Sequence, residues 1–203
     1  MLSVAWMPSS GPYSAGSIQL VNSQLINSGG ASTEGVDTTL SYRLPVAGGT
    51  ANFAASWSHL IRQGSVPLAG AAFDRSDGEI NTPKDRASFS VGFDTETFGI
   101  NFNGQYIGAS YLDDQYRARF LLADGSLPDK KYFRVDSAFY ADMQLRFNVD
   151  KGFEFFAGVN NLLNTQPPPV ITGLTGSVTG TETAAGTYDP IGRRFYTGFR
   201  LKL

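Results

Sequence analysis

Apolar and polar residues alternate along most of this chain. The pattern is plainest at the C-terminus, where Phe195, Phe199, Leu201 and Leu203 occupy odd positions and Arg194, Arg200 and Lys202 even ones. A period of two predicts a strand with one oily face and one wet face. Residues 50–62 set Phe53, Ala55, Trp57 and Ile61 against Asn52, Ser56 and Ser58. Residues 85–95 set Ala87, Phe89, Val91 and Phe93 against Arg86, Ser88, Ser90 and Asp94. Residues 98–112 place Phe98, Ile100, Phe102 and Tyr106 opposite Asn101, Asn103 and Gln105. In residues 134–149, Val135, Phe139, Met143, Leu145 and Phe147 oppose Arg134, Asp136, Asp142, Gln144 and Arg146. In residues 152–164, Phe153, Phe155, Ala157 and Val159 oppose Glu154, Gly158 and Asn160. Residues 17–44 read as one long irregular strand in which Gly29, Gly30 and Gly35 suggest a bulge or kink; two strands are the alternative.

These strands are longer than the 5–6 residues or so usual in globular sheets. Their connections alternate between short turns, near residues 45–49, 95–98 and 150–152, and long polar loops, at residues 63–84, 113–131 and 165–192. Long alternating strands with tight turns at one end and large loops at the other describe a transmembrane barrel. The expected fold is all-β: an antiparallel meander of about seven long transmembrane strands, or eight if residues 17–44 divide. A soluble β-sandwich and a soluble barrel are the competing readings. The mean hydropathy of −0.15 fits a wall in which only alternate residues meet lipid.

Composition narrows the function. With 203 residues, 17% charged and a net charge of −2, the chain has no long-range attraction for nucleic acid. It contains no cysteine, which excludes disulfides and thiolate metal sites. No run of about 20 apolar residues is present to form a transmembrane helix. Residues 1–8 lack the basic flank and apolar core of a secretory signal. A protein of this pattern working outside the cytoplasm is therefore expected to carry a leader upstream of Met1.

Three stretches carry a resemblance. Val159-Asn160-Asn161-Leu162-Leu163-Asn164 closes one strand. Tyr188-Asp189-Pro190-Ile191-Gly192-Arg193 leads into the last. An Asn-, Ser- and Gly-containing stretch from Asn27 runs to Gly35-Val36-Asp37. In this order and spacing they resemble the C-terminal part of a TonB-dependent outer-membrane receptor barrel. The resemblance implies long loops outside the cell, a last strand running down to the periplasm, and a plug domain in the lumen. It implies energy-coupled uptake of a scarce solute, whether an iron–siderophore, carbohydrate or cobalamin. It further implies residence in the outer membrane of a Gram-negative bacterium. The implied partners are outer-membrane lipid, upstream barrel strands and a plug, the inner-membrane TonB energy-coupling complex, and the barrel-assembly machinery. Phe199, Leu201 and Leu203 resemble the C-terminal assembly signal, although that signal commonly ends in an aromatic residue. Such transporters need roughly 22 strands, so these residues are expected to form the C-terminal part of a larger barrel, with the plug outside this chain.

On this reading Arg134, Asp136, Asp142, Gln144 and Arg146 are candidates to face the lumen and hydrogen-bond the plug, since charges inside a membrane protein face its interior. Tyr116 and Tyr132 are candidate ligand-stacking residues in loops. The alternative for Tyr13, Trp57, Tyr106, Tyr111, Tyr116 and Tyr132 together is an interfacial aromatic girdle. The remaining chemistry is bland. His59 stands alone, Asp74 to Glu79 miss the spacing of an EF-hand loop, and Asp113-Asp114 read as a solvated pair. The glycines of residues 173–186 lack a following Lys-Ser/Thr. No Gly-x-Ser-x-Gly and no paired nucleophile and base are present, so neither an enzyme nor a cofactor site is expected.

Overall fold

A computed structural model of the chain describes residues 2–6, 18–23, 29–46, 48–149, 152–170 and 182–201. The chain forms two units, one of residues 1–31 with 65–74 and one of residues 32–64 with 75–203. The smaller holds an antiparallel hairpin of β1 (Leu2–Trp6) and β2 (Ile18–Ser23), with an irregularity between Ala5 and Trp6.

The larger unit holds the main sheet. In chain order its strands are β3 (Gly30–Val46), β4 (Gly49–Val66), the two-residue β5 (Asp74–Arg75) and β6 (Asp85–Asp94). Then follow β7 (Phe98–Ile107), β8 (Ser110–Tyr111), β9 (Arg134–Val135), β10 (Ala138–Asn148), β11 (Phe153–Asn160) and β12 (Arg194–Leu201). The spatial order is β3-β4-β6-β7-β10-β11-β12, with β5 beside β4 and β8 paired to β9. From β4 to β12 every pairing is antiparallel between sequence neighbours of this path. This is the expected meander of long strands. Helix enters only as α1 (Asp114–Arg117) and two 3-10 turns, Ala118–Phe120 and Lys130–Phe133. Among the described residues β3 and β12 are edges, and the sheet is not closed.

Two expectations change. Residues 17–44 do not form one strand: β2 pairs with β1, and β3 begins afresh at Gly30. The strand expected over residues 134–149 is also interrupted. The β7–β10 register that pairs Ile107 with Ala138 resumes beyond the gap as Ser110 with Val135. In between, the Gly108 N–H donates to the Asp85 carbonyl on β6 at 2.8 Å. That bond continues the β6–β7 register, so β7 stays paired to β6 while its pairing to β10 lapses at Gly108 and Ala109.

The two faces are chemically distinct. Side-by-side pairing places Phe53, Val91, Phe102, Met143, Val159 and Phe195 in one row from β4 to β12. The adjacent row on the other face reads Asn52, Gly92, Asn101, Gln144, Gly158 and Tyr196. On the apolar face Leu40, Phe53, Trp57, Phe89, Phe102, Phe147, Phe155 and Phe195 are all exposed, at 37–79% of their full surface. Among the described residues of the larger unit no second sheet covers them, which removes the sandwich reading: a soluble sheet buries such a face. The buried cluster lies instead where the long loops meet the strand ends. It joins Ile107, Leu112, Val135, Ala138, Tyr140, Val170, Ala184 and Tyr188, with Ile80, Tyr116 and Phe133 against it.

The short turns are closed locally. Thr95 and Phe98 exchange backbone and hydroxyl bonds at 2.7–3.0 Å. Asn148 bonds back to Thr97 and Glu96 through its N–H and side-chain amide.

Phe102 lies mid-strand on the apolar face, and its neighbour Asn103 on the polar one. Phe102→Arg is expected to cost about 2–4 kcal/mol, the penalty for a guanidinium at the midplane of a bilayer. It should deplete the heat-modifiable barrel in outer membranes, whereas Asn103→Arg should leave most of it. Equal tolerance of both would contradict a lipid-facing apolar side.

Candidate functional site

The polar face carries a transverse belt of charge near the short-turn end. Arg43 on β3 donates through Nε to the Asn52 side-chain carbonyl on β4 at 3.0 Å. Asn52 donates in turn to Asp94 Oδ2 on β6, also at 3.0 Å. Arg146 on β10 reaches back across β7 and pairs with Asp94 Oδ1 at 2.6 Å. Its other terminal nitrogen lies 3.9 Å from Glu154 on β11, and Arg200 on β12 donates to that carboxylate at 2.9 Å. Arginines and carboxylates thus alternate from one edge of the sheet to the other.

Arg146 spans β7 because β7 has no side chain in the way. Gly99 sits opposite Arg146, and a Cβ there would lie 2.8 Å from Asp94 Oδ1 and 3.0 Å from Arg146 Nη2. Beside the belt, Tyr196 lies over Gly158 and Phe156 over Gly198, each ring where a Cβ would clash. The Phe156 and Tyr196 centroids are 6.4 Å apart, and the Tyr196 hydroxyl accepts from Gln144 at 3.1 Å. Towards the loops the middle of the face is mostly uncharged, with Asp142 on β10 and with Arg86 and Arg194 at the loop-side ends of β6 and β12. A shallow cavity of about 460 Å³ lies against Ser56, Ser88, Ser90, Asn103, Gln105 and Asp142.

Of the five candidate lumen residues, Asp142, Gln144 and Arg146 share this face of β10. Arg134 and Asp136 do not join them. They lie beyond the break, at β9 and just after it, and pair with each other at 2.9 Å in an exposed bridge. Sequence reading missed the belt as a unit, together with Arg43, Asp94 and the ring pair of Phe156 and Tyr196. Alternation places each of these residues on a face, but only the register between strands brings them together.

The motif residues shape the loop end. Asn161 is buried, with a left-handed φ of 52° that asparagine adopts more readily than most residues. Its side chain donates to the Thr165 carbonyl at 2.9 Å and accepts the Thr165 N–H at 2.8 Å. Its own N–H donates to Asp142 at 2.8 Å, and Leu162 N–H to the Ala141 carbonyl at 2.6 Å. Asn160, Asn161 and Leu162 therefore end β11 and tie its loop to β10. Asp142 is engaged in that closure. Tyr188 is buried with its hydroxyl 3.2 Å from Ser110, and this burial pushes the hydroxyl pKa up. After Pro190, Gly192 turns the chain at φ 82°, and Arg193 N–H donates to Asn164 at 3.3 Å. Phe199 and Leu201 are exposed on the apolar face; Leu203, like Tyr13 and Asn27, lies outside the described residues.

The candidate ligand tyrosines differ. Tyr116 is half-buried, its ring 5.1 Å from Phe120 and capped by Arg119 at 5.5 Å. Tyr132 is 74% exposed, with Lys131 over its ring at 5.1 Å. Trp57 and Tyr106 stand in one row at the loop-side end of the apolar face. In the loop after β4, Asp77 is buried between Arg75 at 2.8 Å and Lys84 at 3.4 Å. The hydrogen bonds from the Arg75 guanidinium hold its carboxyl well below the usual carboxylate range, with help from the Gln63 N–H and Lys84. Among the described residues no group of three or more His, Asp or Glu is placed to hold a metal ion.

An open antiparallel meander, oily on one face and polar on the other, is the wall of a transmembrane β-barrel. Residues 6–162, most of the chain, match the sequence profile of the family described as TonB dependent receptor-like, beta-barrel. The chain belongs to that family. No curated protein and no solved structure matches it. The family is one of outer-membrane receptors and transporters, not enzymes, and its members interact with the outer membrane and with TonB. No helix among the described residues is long and apolar enough to cross a membrane.

Gly99→Val would push the Arg146 guanidinium off Asp94. Both charged groups are more than a third exposed, so the expected loss is only about 1 kcal/mol. Combining it with Asp94→Asn should add little to either change alone, because both remove one contact. Additive losses in urea unfolding would mean that Gly99 matters for another reason. In the loop, Asp77→Asn should speed tryptic cleavage after Arg75 and Lys84 at neutral pH. The wild-type carboxyl has a folded pKa below its unfolded one. Its stabilisation is therefore full above about pH 4 and is lost only as the pH falls further, through the folded value.

Proposed function

We propose that this chain is the C-terminal part of the barrel wall of an energy-coupled receptor, in the outer membrane of a Gram-negative bacterium. It would take up a scarce solute of the iron–siderophore, carbohydrate or cobalamin kind. The observation that carries the reading is the polar face, which runs from β3 to β12 with only the Phe156–Tyr196 ring pair interrupting it and is uncovered by any other part of the main sheet. In the full receptor this face meets a plug domain supplied by other residues. Gln144 and Arg146 offer amide and guanidinium donors to that plug, and Asp142 holds the Asn161 turn above them. Tyr132 and the Tyr116–Phe120 pair stand in the loop that a solute meets first. Energy reaches the plug through the inner-membrane TonB complex, and Phe199, Leu201 and Leu203 form the signal read by the barrel-assembly machinery.

The edges support a larger barrel. β3 runs into the short connection to β4, and β12 descends from the last long loop, so both point towards the short-turn end. Parallel edges cannot close an antiparallel sheet on themselves; an odd number of further strands is needed. Open edges are not tolerated in lipid, where each unpaired backbone group costs several kcal/mol.

Residues 1–203 refolded in detergent should therefore aggregate or self-associate, as judged by mass and by the mobility of heated and unheated samples. In the cell the protein should be assembled with upstream strands, and its disruption should abolish growth on one scarce solute. A monodisperse, heat-modifiable monomer of residues 1–203 would instead favour a small structural barrel without active transport.

A further inference from the structure

The charged belt ends in an arginine on both edge strands. Inside the sheet its signs alternate, and Arg146 lies between two carboxylates, at 2.6 Å from Asp94 and 3.9 Å from Glu154. Glu154 lies between two arginines, Arg146 and Arg200, and is itself buried. The outermost members are only half engaged. Arg200 reaches Glu154 through Nη1, and Arg43 donates through Nε alone, to the uncharged amide of Asn52. Among the described residues nothing engages the two terminal nitrogens of Arg43, nor Nε and Nη2 of Arg200. A guanidinium carries five N–H donors in a rigid fork suited to a carboxylate, so each end of the belt has an open fork. Both arginines stand on strands whose outer edge has no partner in the sheet.

Resting on the reading of this sheet as a segment of a larger barrel, we propose that the strands flanking β3 and β12 each present a carboxylate at the level of the belt. The partner is thus a transmembrane strand with an aspartate or glutamate facing the lumen, one strand spacing, about 4.8 Å, from Arg43 or Arg200. Charge complementarity selects it. A basic residue directly opposite would destabilise the pair, and an apolar one would leave the open fork without an acceptor. The alternation seen across the sheet then continues round the wall, and the belt marks the register in which the flanking strands dock.

The test uses the native protein in outer membranes of cells that produce it, with Arg43→Lys and Arg200→Lys variants. A water-soluble carbodiimide joins an ammonium to a carboxylate in contact with it, and peptide mass spectrometry locates the link. Arg200→Lys should link to Glu154, which reports that the belt is formed, and also to a carboxylate outside β3–β12. Arg43→Lys has only the Asn52 amide beside it in this sheet, so its link should go to a strand outside β3–β12. If the Glu154 link forms while Arg43→Lys stays unlinked, or joins only Asp94, a plug segment or a second copy, the proposal is overturned. Should lysine be too short to keep the belt, charge reversal gives a second measurement. Arg43→Glu should remove most of the heat-modifiable protein and Arg43→Gln much less; equal losses, or none, would overturn the proposal. Failure of the larger-barrel reading shows separately, as a closed monomer of residues 1–203 by mass.

Discussion

Every backbone N–H and C=O that enters hydrocarbon must find its partner inside the protein, and the rest of this structure follows from that constraint. Extended strands satisfy it sideways, so strands are long and neighbours in sequence are neighbours in space. Each side chain is then left with one of two environments. Residues such as Phe53, Val91 and Phe102 can be exposed because their solvent is lipid. Residues on the other face cannot reach lipid and must satisfy one another or something within the lumen.

That second requirement explains the belt. An isolated charge away from bulk water is expensive, and partners on both sides offset part of that cost. Asp94 meets this by taking Asn52 on one oxygen and Arg146 on the other. Gly99 on β7 leaves the crossing point open, where a Cβ would press on Asp94 Oδ1 and the Arg146 guanidinium. The missing side chain belongs to one strand and the contact it permits joins two others. A substitution at Gly99 would therefore act on residues that are not its sequence neighbours.

The division between legible and illegible features follows the range of the physics. Alternation is a local property, so the faces of Phe89, Phe102, Asp142 and Gln144 could be read from single strands, and the meander from the turn and loop lengths. Register is not local. Nothing in residues 134–149 alone reveals that the pairing lapses at Asp136 and Ser137, separating Arg134 and Asp136 from the residues of β10. Phe156 and Tyr196 break the expected polarity of their face. Each ring is explained by a glycine on the adjacent strand, Gly198 and Gly158, which again only pairing discloses. The motif Asn160-Asn161-Leu162 was recognisable as a resemblance. Its physical task, a left-handed turn held by a side-chain amide, was not.

The two ends of the sheet solve different problems with different chemistry. At the short-turn end the chain must reverse in few residues, and Thr95, Asn148 and the charged belt brace it through polar contacts. At the other end long connections must be ordered in water, where polar contacts are worth little. There the chain builds a small apolar core from residues scattered between Ile80 and Tyr188. Its hydrogen bonds serve to join loops that are far apart in sequence, as Thr187 does to Ile80 and Tyr188 to Ser110. The loops are thus packed onto each other before any solute arrives. Outside that core Leu121, Leu122, Leu127 and the ring of Tyr132 remain exposed. Ordering such a scaffold in advance lowers the entropic cost of whatever contact its outer side makes.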